Sequence, residues 1–508
     1  MKIKIYQFLA LVVLISLSYS CKDDFFKEQA GNRITPDEHY NSQNDLYNNS
    51  MYGTYVPLQK ALPKLLLVDG LRSDMIDTTY NSDIFMKEIN DQNISMNNPY
   101  IDGSDYYKVI INVNEILPYV DKVFKLDPTS VSYQKKFTIG ALITIRAGCY
   151  FTLVKMFGQA ALISDNMASV HTNKVLQKAE MIDLLIDSLK PYVFNDPKHY
   201  ELGFMGPNTK ALIGELYLEN AYLHPSTYYD SAAYYLKLGM ESYGNTKDYK
   251  VTTLYAIEAW KTIFYQDGPI LGAECIDGVY YDSRRNQYND FAGWALSNNY
   301  LIKPSQLLVD SFNAQISTAI GTGDVYRGKH FTFDTLPNSN TAYYISKYNL
   351  NNDPYGSYII TSRAADIHLL LAEALLHKFG GPDTSTALLL LNDGIKSADV
   401  TPDGYDKWSD NVGVRGRVSL EPRTIPANLT GTDAINAIED QIIDERALEL
   451  AFEGKRWFDL VRVAMRRNNP DYLARKVALK YGNPDVSGSR AESIRNKLKL
   501  GNWYLPIK

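Results

Sequence analysis

The sequence predicts a mainly α-helical protein with little β structure, built from packed helix pairs and interrupted by long irregular loops. Three observations carry that expectation. Residues 141–157 are apolar almost all round, which at helical spacing means a helix buried on most sides. Two later segments repeat a helix–break–helix pattern. Between them, residues 265–361 are rich in Gly, Asn, Asp and Tyr, with turn signals such as Asp267-Gly268-Pro269 and Asp277-Gly278 and few helical periods. Residues 72–106 read in the same way. Long insertions of this kind in a compact chain are functional or disordered, and their aromatic content favours ordered and functional.

Taken in order, the chain opens with Lys2 and Lys4 and an apolar run from Phe8 to Leu17. A spanning helix needs about 20 apolar residues, so residues 1–20 read as a secretory signal peptide. No later stretch looks apolar for long enough to span. Ser18-Tyr19-Ser20-Cys21 resembles a bacterial lipobox, in which Cys21 becomes the lipidated first residue of the mature protein. Lys22, Asp23 and Asp24 follow at once and resemble the export tag of Bacteroidetes surface lipoproteins. Residues 21–50 are polar and suit an anchor and tether, leaving 51–508 as the folded part. Of the other two cysteines, Cys149 lies in the apolar 141–157 stretch and reads as an inert buried thiol, although pairing with Cys275 is open to an exported protein.

The 141–157 helix has a C-terminal stop in Gly158. Further helices are expected at about 174–191, 208–222, 227–243, 362–378, 384–397, 432–453 and 455–467. Two pairs look like degenerate repeats. Gly214 and Tyr217, followed beyond Pro225 by Ala232 and Leu236, approximate the two helices of a tetratricopeptide unit. Leu371 to Leu375, followed beyond Gly380-Gly381-Pro382 by Ala387 and Leu391, do the same. Such pairs cannot bury their apolar faces alone and must stack on neighbours.

Composition excludes some functions. The formal charge is −6, and loss of residues 1–20 makes it more acidic still. A net acidic chain without a basic block is a poor nucleic-acid binder. No G-x-S-x-G, H-E-x-x-H, Walker loop or C-x-x-C is present, the seven histidines never fall at metal-ligand spacing on one helix, and Gly321-Thr322-Gly323 reads as a turn. Thus no metal, cofactor or catalytic group is expected, although two carboxylates suffice for a glycosidase and 58 acidic residues leave that open. Thirty-nine tyrosines against 18 phenylalanines and 5 tryptophans supply flat apolar faces with a hydroxyl rim, suited to polar, ring-shaped ligands.

The strongest local signal is the run Glu445, Arg446, Glu449, Glu453, Arg456, Asp459 and Arg462. Three glutamates four apart line one helical face, where like charges repel. Arg446, Arg456 and Arg462 are the expected counter-charges, and the set reads as a buried ion network locking the last helices together.

This run closely resembles the C-terminal motif of the SusD/RagB family, E-R-x-x-E-L-x-x-E-G-x-R-x-x-D-L-x-R. Trp503 to Ile507, Arg72-Ser73-Asp74, Asp105 to Leu117 and Arg146 to Gly158 also agree. The resemblance implies a single helical domain at the cell surface, anchored in the outer membrane through Cys21. It further implies capture of an oligosaccharide for a SusC-like TonB-dependent transporter, without catalysis. Capture of peptides or another nutrient, or a surface glycoside hydrolase, are the alternatives. No ligand motif transfers residue by residue. Proximity to loop-like sequence picks Trp294, Tyr80, Tyr100, Tyr280, Tyr281 and Tyr300 as ligand-contacting candidates.

Overall fold

The computed structural model describes residues 39–126, 132–163, 173–193, 208–240, 251, 257–264, 274–349, 353–396 and 411–507. The signal segment, Cys21 and the turn at 267–269 lie outside the described residues. Described elements are α1 Gln43–Arg72, β1 Ile76–Thr78, α2 Ile84–Asn90, α3 Ser104–Leu126, α4 Ser132–Phe157, β2 Gln159–Leu162, β3 Lys174–Gln177, α5 Lys178–Leu189, α6 Thr209–Asn220 and α7 Tyr228–Met240. They continue with α8 Ile257–Phe264, β4 Cys275–Val279, α9 Asp290–Ala295, β5 Ile302–Pro304, α10 Gln306–Asn313, β6 Ile316–Ser317, β7 Gly321–Thr322, β8 Phe333–Thr335, β9 Tyr343–Ile345 and β10 Ile359–Arg363. The C-terminal helices are α11 Ala364–Leu375, α12 Thr384–Leu391, α13 Gly431–Glu449, α14 Arg456–Arg466, α15 Pro470–Ala478 and α16 Arg490–Lys499. The fold is mainly α, as the sequence predicts.

Several boundaries differ from expectation for local reasons. Helix α1 begins inside the segment read as tether, because Ser42 and Asp45 form a capping box: Asp45 N–H donates to Ser42 Oγ at 3.2 Å and Ser42 N–H to Asp45 Oδ2 at 2.9 Å. Residues 174–177, expected as helix, form β3, which pairs antiparallel with β2 (Gln159↔Gln177, Leu162↔Lys174) and alternates exposed Val175 with buried Leu176. Gly158 does stop α4, at φ +75°, and a Cβ there would meet the Tyr504 ring at 2.8 Å. Helix α13 ends at Glu449, not 453, because Phe452 and Gly454 take φ +65° and +73°. Helix α12 ends at Leu391, not 397, with Gly394 at φ +84°.

The repeat-like segments form consecutive helix pairs. Helix α6 packs on α7 so closely that a Cβ on Gly214 would meet the Leu236 backbone nitrogen at 2.8 Å, and one on Gly239 would meet Ala211 at 3.1 Å. Helix α11, buried along its whole length, packs against both α7 and α12. By length and composition Lys135–Phe157 in α4 could cross a membrane, contrary to expectation, but 67% of its apolar 18-residue window is buried inside the protein and it forms part of the core. Cys149 and Cys275 are both buried free thiols.

Every sheet among the described residues is a two-stranded antiparallel pair. Two of them join distant sequence. The β1–β5 pair (Ile76↔Pro304, Thr78↔Ile302) ties the loop-rich 72–106 segment to 265–361, and β4 pairs with β10. Gly321 and Gly323 serve the β6–β7 hairpin at φ +92° and +94°, as a turn reading requires.

Candidate functional site

The β1–β5 ladder delivers two loops, 79–83 and 296–301, to the same place, and side chains then lace them together. Thr79 Oγ1 donates to the Tyr300 carbonyl, Ser82 Oγ to the Leu301 carbonyl at 2.6 Å, and Asn81 Nδ2 to the Asn299 carbonyl at 3.1 Å. Tyr300 is held at φ +44°, a conformation that bulky side chains rarely adopt. Its N–H donates to the Leu296 carbonyl at 2.7 Å, so hydrogen bonds at both ends of the residue maintain that strain. Tyr80, at the loop tip, is 84% exposed and lies 6.5 Å from the Tyr300 ring in an edge-on arrangement.

A second pair of rings adjoins. Asp83 caps α2 by accepting the Met86 N–H at 2.8 Å, and its other oxygen accepts the Tyr100 hydroxyl at 2.5 Å. That bond fixes Tyr100, which stands edge-on to Trp294 with ring centres 5.4 Å apart and planes at 83°. Trp294 is positioned by α9, whose N-cap Asn289 accepts the Ala292 N–H at 3.2 Å and donates to the Ser357 carbonyl at 3.0 Å. Burial, then the Asp83 hydrogen bond and the Asp83 and Asp290 charges, push the Tyr100 hydroxyl above its ordinary pKa. It therefore stays a neutral donor.

Four of the six proposed contacts, Tyr80, Tyr100, Trp294 and Tyr300, thus come together from sequence about 200 residues apart. Tyr288 and Tyr355 join the same region, and the sequence reading missed both. Tyr288 is 45% exposed and stands edge-on to Tyr355 at 5.8 Å. Tyr355 fits because residue 293 is glycine, where a Cβ would meet its ring at 2.7 Å. Their signal was the same tyrosine-in-loop pattern that selected the others.

Tyr281 is a correction. It is fully buried and its hydroxyl donates to the Gln59 carbonyl at 3.1 Å, so it packs the core and is not available to a ligand. The sequence placed it beside turn signals but could not show that the chain dives under α1 at this point. Tyr280 is half-buried against Tyr358 at 5.0 Å, and Gln59 Nε2 binds its carbonyl at 2.7 Å. No described contact joins it to the other four.

The acidic and basic motif residues lie elsewhere, all buried and all ion-paired. Their partners differ from those expected. Glu445 meets Arg327 at 2.8 Å and Arg415 at 2.5 Å. Glu449 meets Arg363 at 2.6 Å, Arg327 at 2.7 Å and also Arg417, while Glu453 meets Arg363 at 2.9 Å and Lys347 at 2.6 Å. The motif's own arginines face other acids. Arg446 reaches Asp459 and Asp366, Arg456 takes both oxygens of Asp74 at 2.8 Å, and Arg462 takes both oxygens of Glu373. Helical spacing fixes which side the glutamates share but says nothing about which distant loop arrives there. Burial works to raise the Glu449 carboxyl, yet the facing Arg417, Arg363 and Arg327 override it and hold it below the ordinary carboxylate range. Such fully paired, fully buried charges bind the fold together. Among the described residues, no group of three or more His, Cys, Asp or Glu is placed to hold a metal ion.

Residues 278–508 match the family model described as the SusD family. No curated protein sequence matches the chain. Among solved structures, the chain is similar to a SusD superfamily protein from Bacteroides vulgatus, at TM-score 0.63 and 18% identity over 89% of this chain and 92% of that one. A SusD homolog from Bacteroides thetaiotaomicron superposes at TM-score 0.62 and 16% identity, over 91% and 94% of the two chains. A SusD-like carbohydrate binding protein from Bacteroides fragilis does so at TM-score 0.57 and 16% identity, over 89% and 94%. These similarities extend the fold along most of the chain, beyond the matched C-terminal segment with its Glu445–Arg462 motif. The family match thus covers residues 278–508, and over the rest of the chain the likeness is one of fold.

Proposed function

We propose that this chain is a cell-surface glycan-binding lipoprotein that captures an oligosaccharide and hands it to a SusC-like TonB-dependent transporter, without cleaving it. The observation that carries the reading is the ring cluster of Tyr80, Tyr300, Trp294 and Tyr100 on hydrogen-bonded loops, with Tyr80 exposed. Sugar rings present C–H faces that stack on aromatic side chains, and their hydroxyls are met by groups such as Asn81, Asp83 and Asp290 around the rings. Loops braced in this way hold the rings in place before a ligand arrives, which lowers the entropy cost of binding. The match of residues 278–508 to the SusD family model supports the same reading, as does the likeness of fold to the SusD-like carbohydrate binding protein from Bacteroides fragilis.

In this account Cys21 carries the lipid and residues 22–42 lead to the scaffold at the outer-membrane exterior. Calorimetry of Trp294→Ala against an oligosaccharide that the wild type binds tests the assignment: affinity falls roughly tenfold, the scale of one lost stacking contact. Unaltered affinity removes Trp294 from the site. Product release from polysaccharide by the pure protein would instead establish a hydrolase, and mass spectrometry finding an unmodified Cys21 would remove the anchor.

A further inference from the structure

Helices α1, α4 and α6 and the β4–β10 pair line a partly open cavity of about 150 Å³ that shares no residue with the aromatic surface. Its walls are mostly apolar, among them Leu62, Ile145, Ala211 and Ile359. Polar groups stand on the same walls. The Tyr106 hydroxyl belongs to a residue only 2% exposed and has no hydrogen-bond partner, a costly state for a buried donor. Asp277, which accepts a hydrogen bond from Thr361, has its carboxyl pushed up to about 6 by burial. Lys155 and Glu215 on the wall are already paired with each other at 3.0 Å.

The fold leaves this space open at a cost to itself. Gly148 lies inside α4 on the cavity wall, where glycine weakens a helix relative to alanine. No close approach explains it, since a Cβ built on Gly148 meets nothing within 4 Å. The helix glycines of the α6–α7 contact differ from it: Gly214 and Gly239 sit against neighbouring backbone.

We infer that this cavity is a second binding site, for a compact, uncharged molecule with an apolar ring and a hydrogen-bonding head. The size follows from the volume, because a void of about 150 Å³ lined by aliphatic and aromatic side chains accommodates a benzene-sized body. The head group answers Tyr106 and the Asp277–Thr361 pair. The ligand carries no charge because the charged groups on the wall already have partners: Lys155 pairs with Glu215, Lys455 with Asp366, Glu453 with Arg363 and Lys347, and Asp277 accepts from Thr361. The site is independent of the glycan reading.

The test is calorimetric titration of the full mature protein with benzyl alcohol as the probe, alongside thermal unfolding. Wild type binds one equivalent saturably. Tyr106→Phe weakens binding about fivefold, the worth of one neutral hydrogen bond. Gly148→Leu fills the space, so it abolishes binding while its melting temperature is unchanged or higher; Tyr80→Ala leaves benzyl alcohol binding untouched. Three results would each overturn the inference: no binding to wild type at millimolar probe, undiminished binding to Gly148→Leu, or a Gly148→Leu variant that unfolds.

Discussion

Arg456 grips both oxygens of Asp74 and the Ile443 carbonyl at 2.8 and 2.9 Å, joining the first turn of α14 to the loop after α1. Both residues are buried. Removing one member of a buried pair leaves an uncompensated charge and costs about 3–5 kcal/mol. Arg456→Ala is therefore expected to lower the melting temperature markedly while leaving glycan affinity intact in the folded fraction; unchanged melting with lost binding reverses the structural assignment. The aromatic residues behave oppositely. Tyr80 is so exposed that its truncation should leave stability within about 0.5 kcal/mol. Residues of the two kinds separate by which assay moves.

At the scale of elements, the α6–α7 contact depends on the absence of side chains. Gly214→Val drives carbon into the Leu236 backbone, where relief requires the helices to part; overpacking of this kind costs about 1–3 kcal/mol. Denaturant unfolding should show a lower midpoint with unchanged slope, and an unaltered midpoint contradicts the packing. Helices with strong apolar periodicity or caps, α6, α7, α11 and α14, were legible in the sequence to within a few residues, whereas α4 was legible at its Gly158 end but begins at Ser132, nine residues before the expected start. Helix α1 was not, because Pro57 and Pro63 lie inside it and argue against a helix locally. Its start at Ser42 rests on a capping box that the Asn-rich context masks. The short strands were equally hidden: β1 and β5 have three residues each, too few for a period-2 pattern, and they acquire meaning only through pairing. That pairing is what brings Tyr80, Tyr100, Trp294 and Tyr300 together; the sequence shows rings in loop-like segments but not their grouping. Tyr281 shows the limit, since neighbours in a loop-like sequence can face opposite sides of the fold.

Across the whole molecule, buried charges set the response to acid. His368 has its pKa pulled down to about 3, mainly by burial, so stability present when it is neutral begins to decline as pH falls through the unfolded value near 6.5. Asp69, lifted to about 7, and Asp277, lifted to about 6, act in the opposite sense between about pH 4 and their folded values, because the folded form binds the proton more tightly. Burial works to raise Glu439, but Arg466, His377 and Arg467 bring it down to about 2, and Glu373 and Glu449 are also held low by arginines. These carboxylates contribute stability above their unfolded values, near 4.3, which is lost as pH falls further. The melting temperature should therefore change little between pH 7 and 5 and drop steeply below about pH 4.5. A steep decline already at pH 6 contradicts the ion network as drawn.

The proposed role requires that ring-bearing loops on a helical scaffold hold a glycan. Its most direct test is a glycan array probed with the wild-type chain and with the Tyr80→Ala, Trp294→Ala double variant, both shown to be folded by their melting curves. A defined set of oligosaccharides is expected to be retained by the wild type and lost by the double variant. An array left blank by the wild type while peptides bind, or a signal that survives both substitutions, contradicts it.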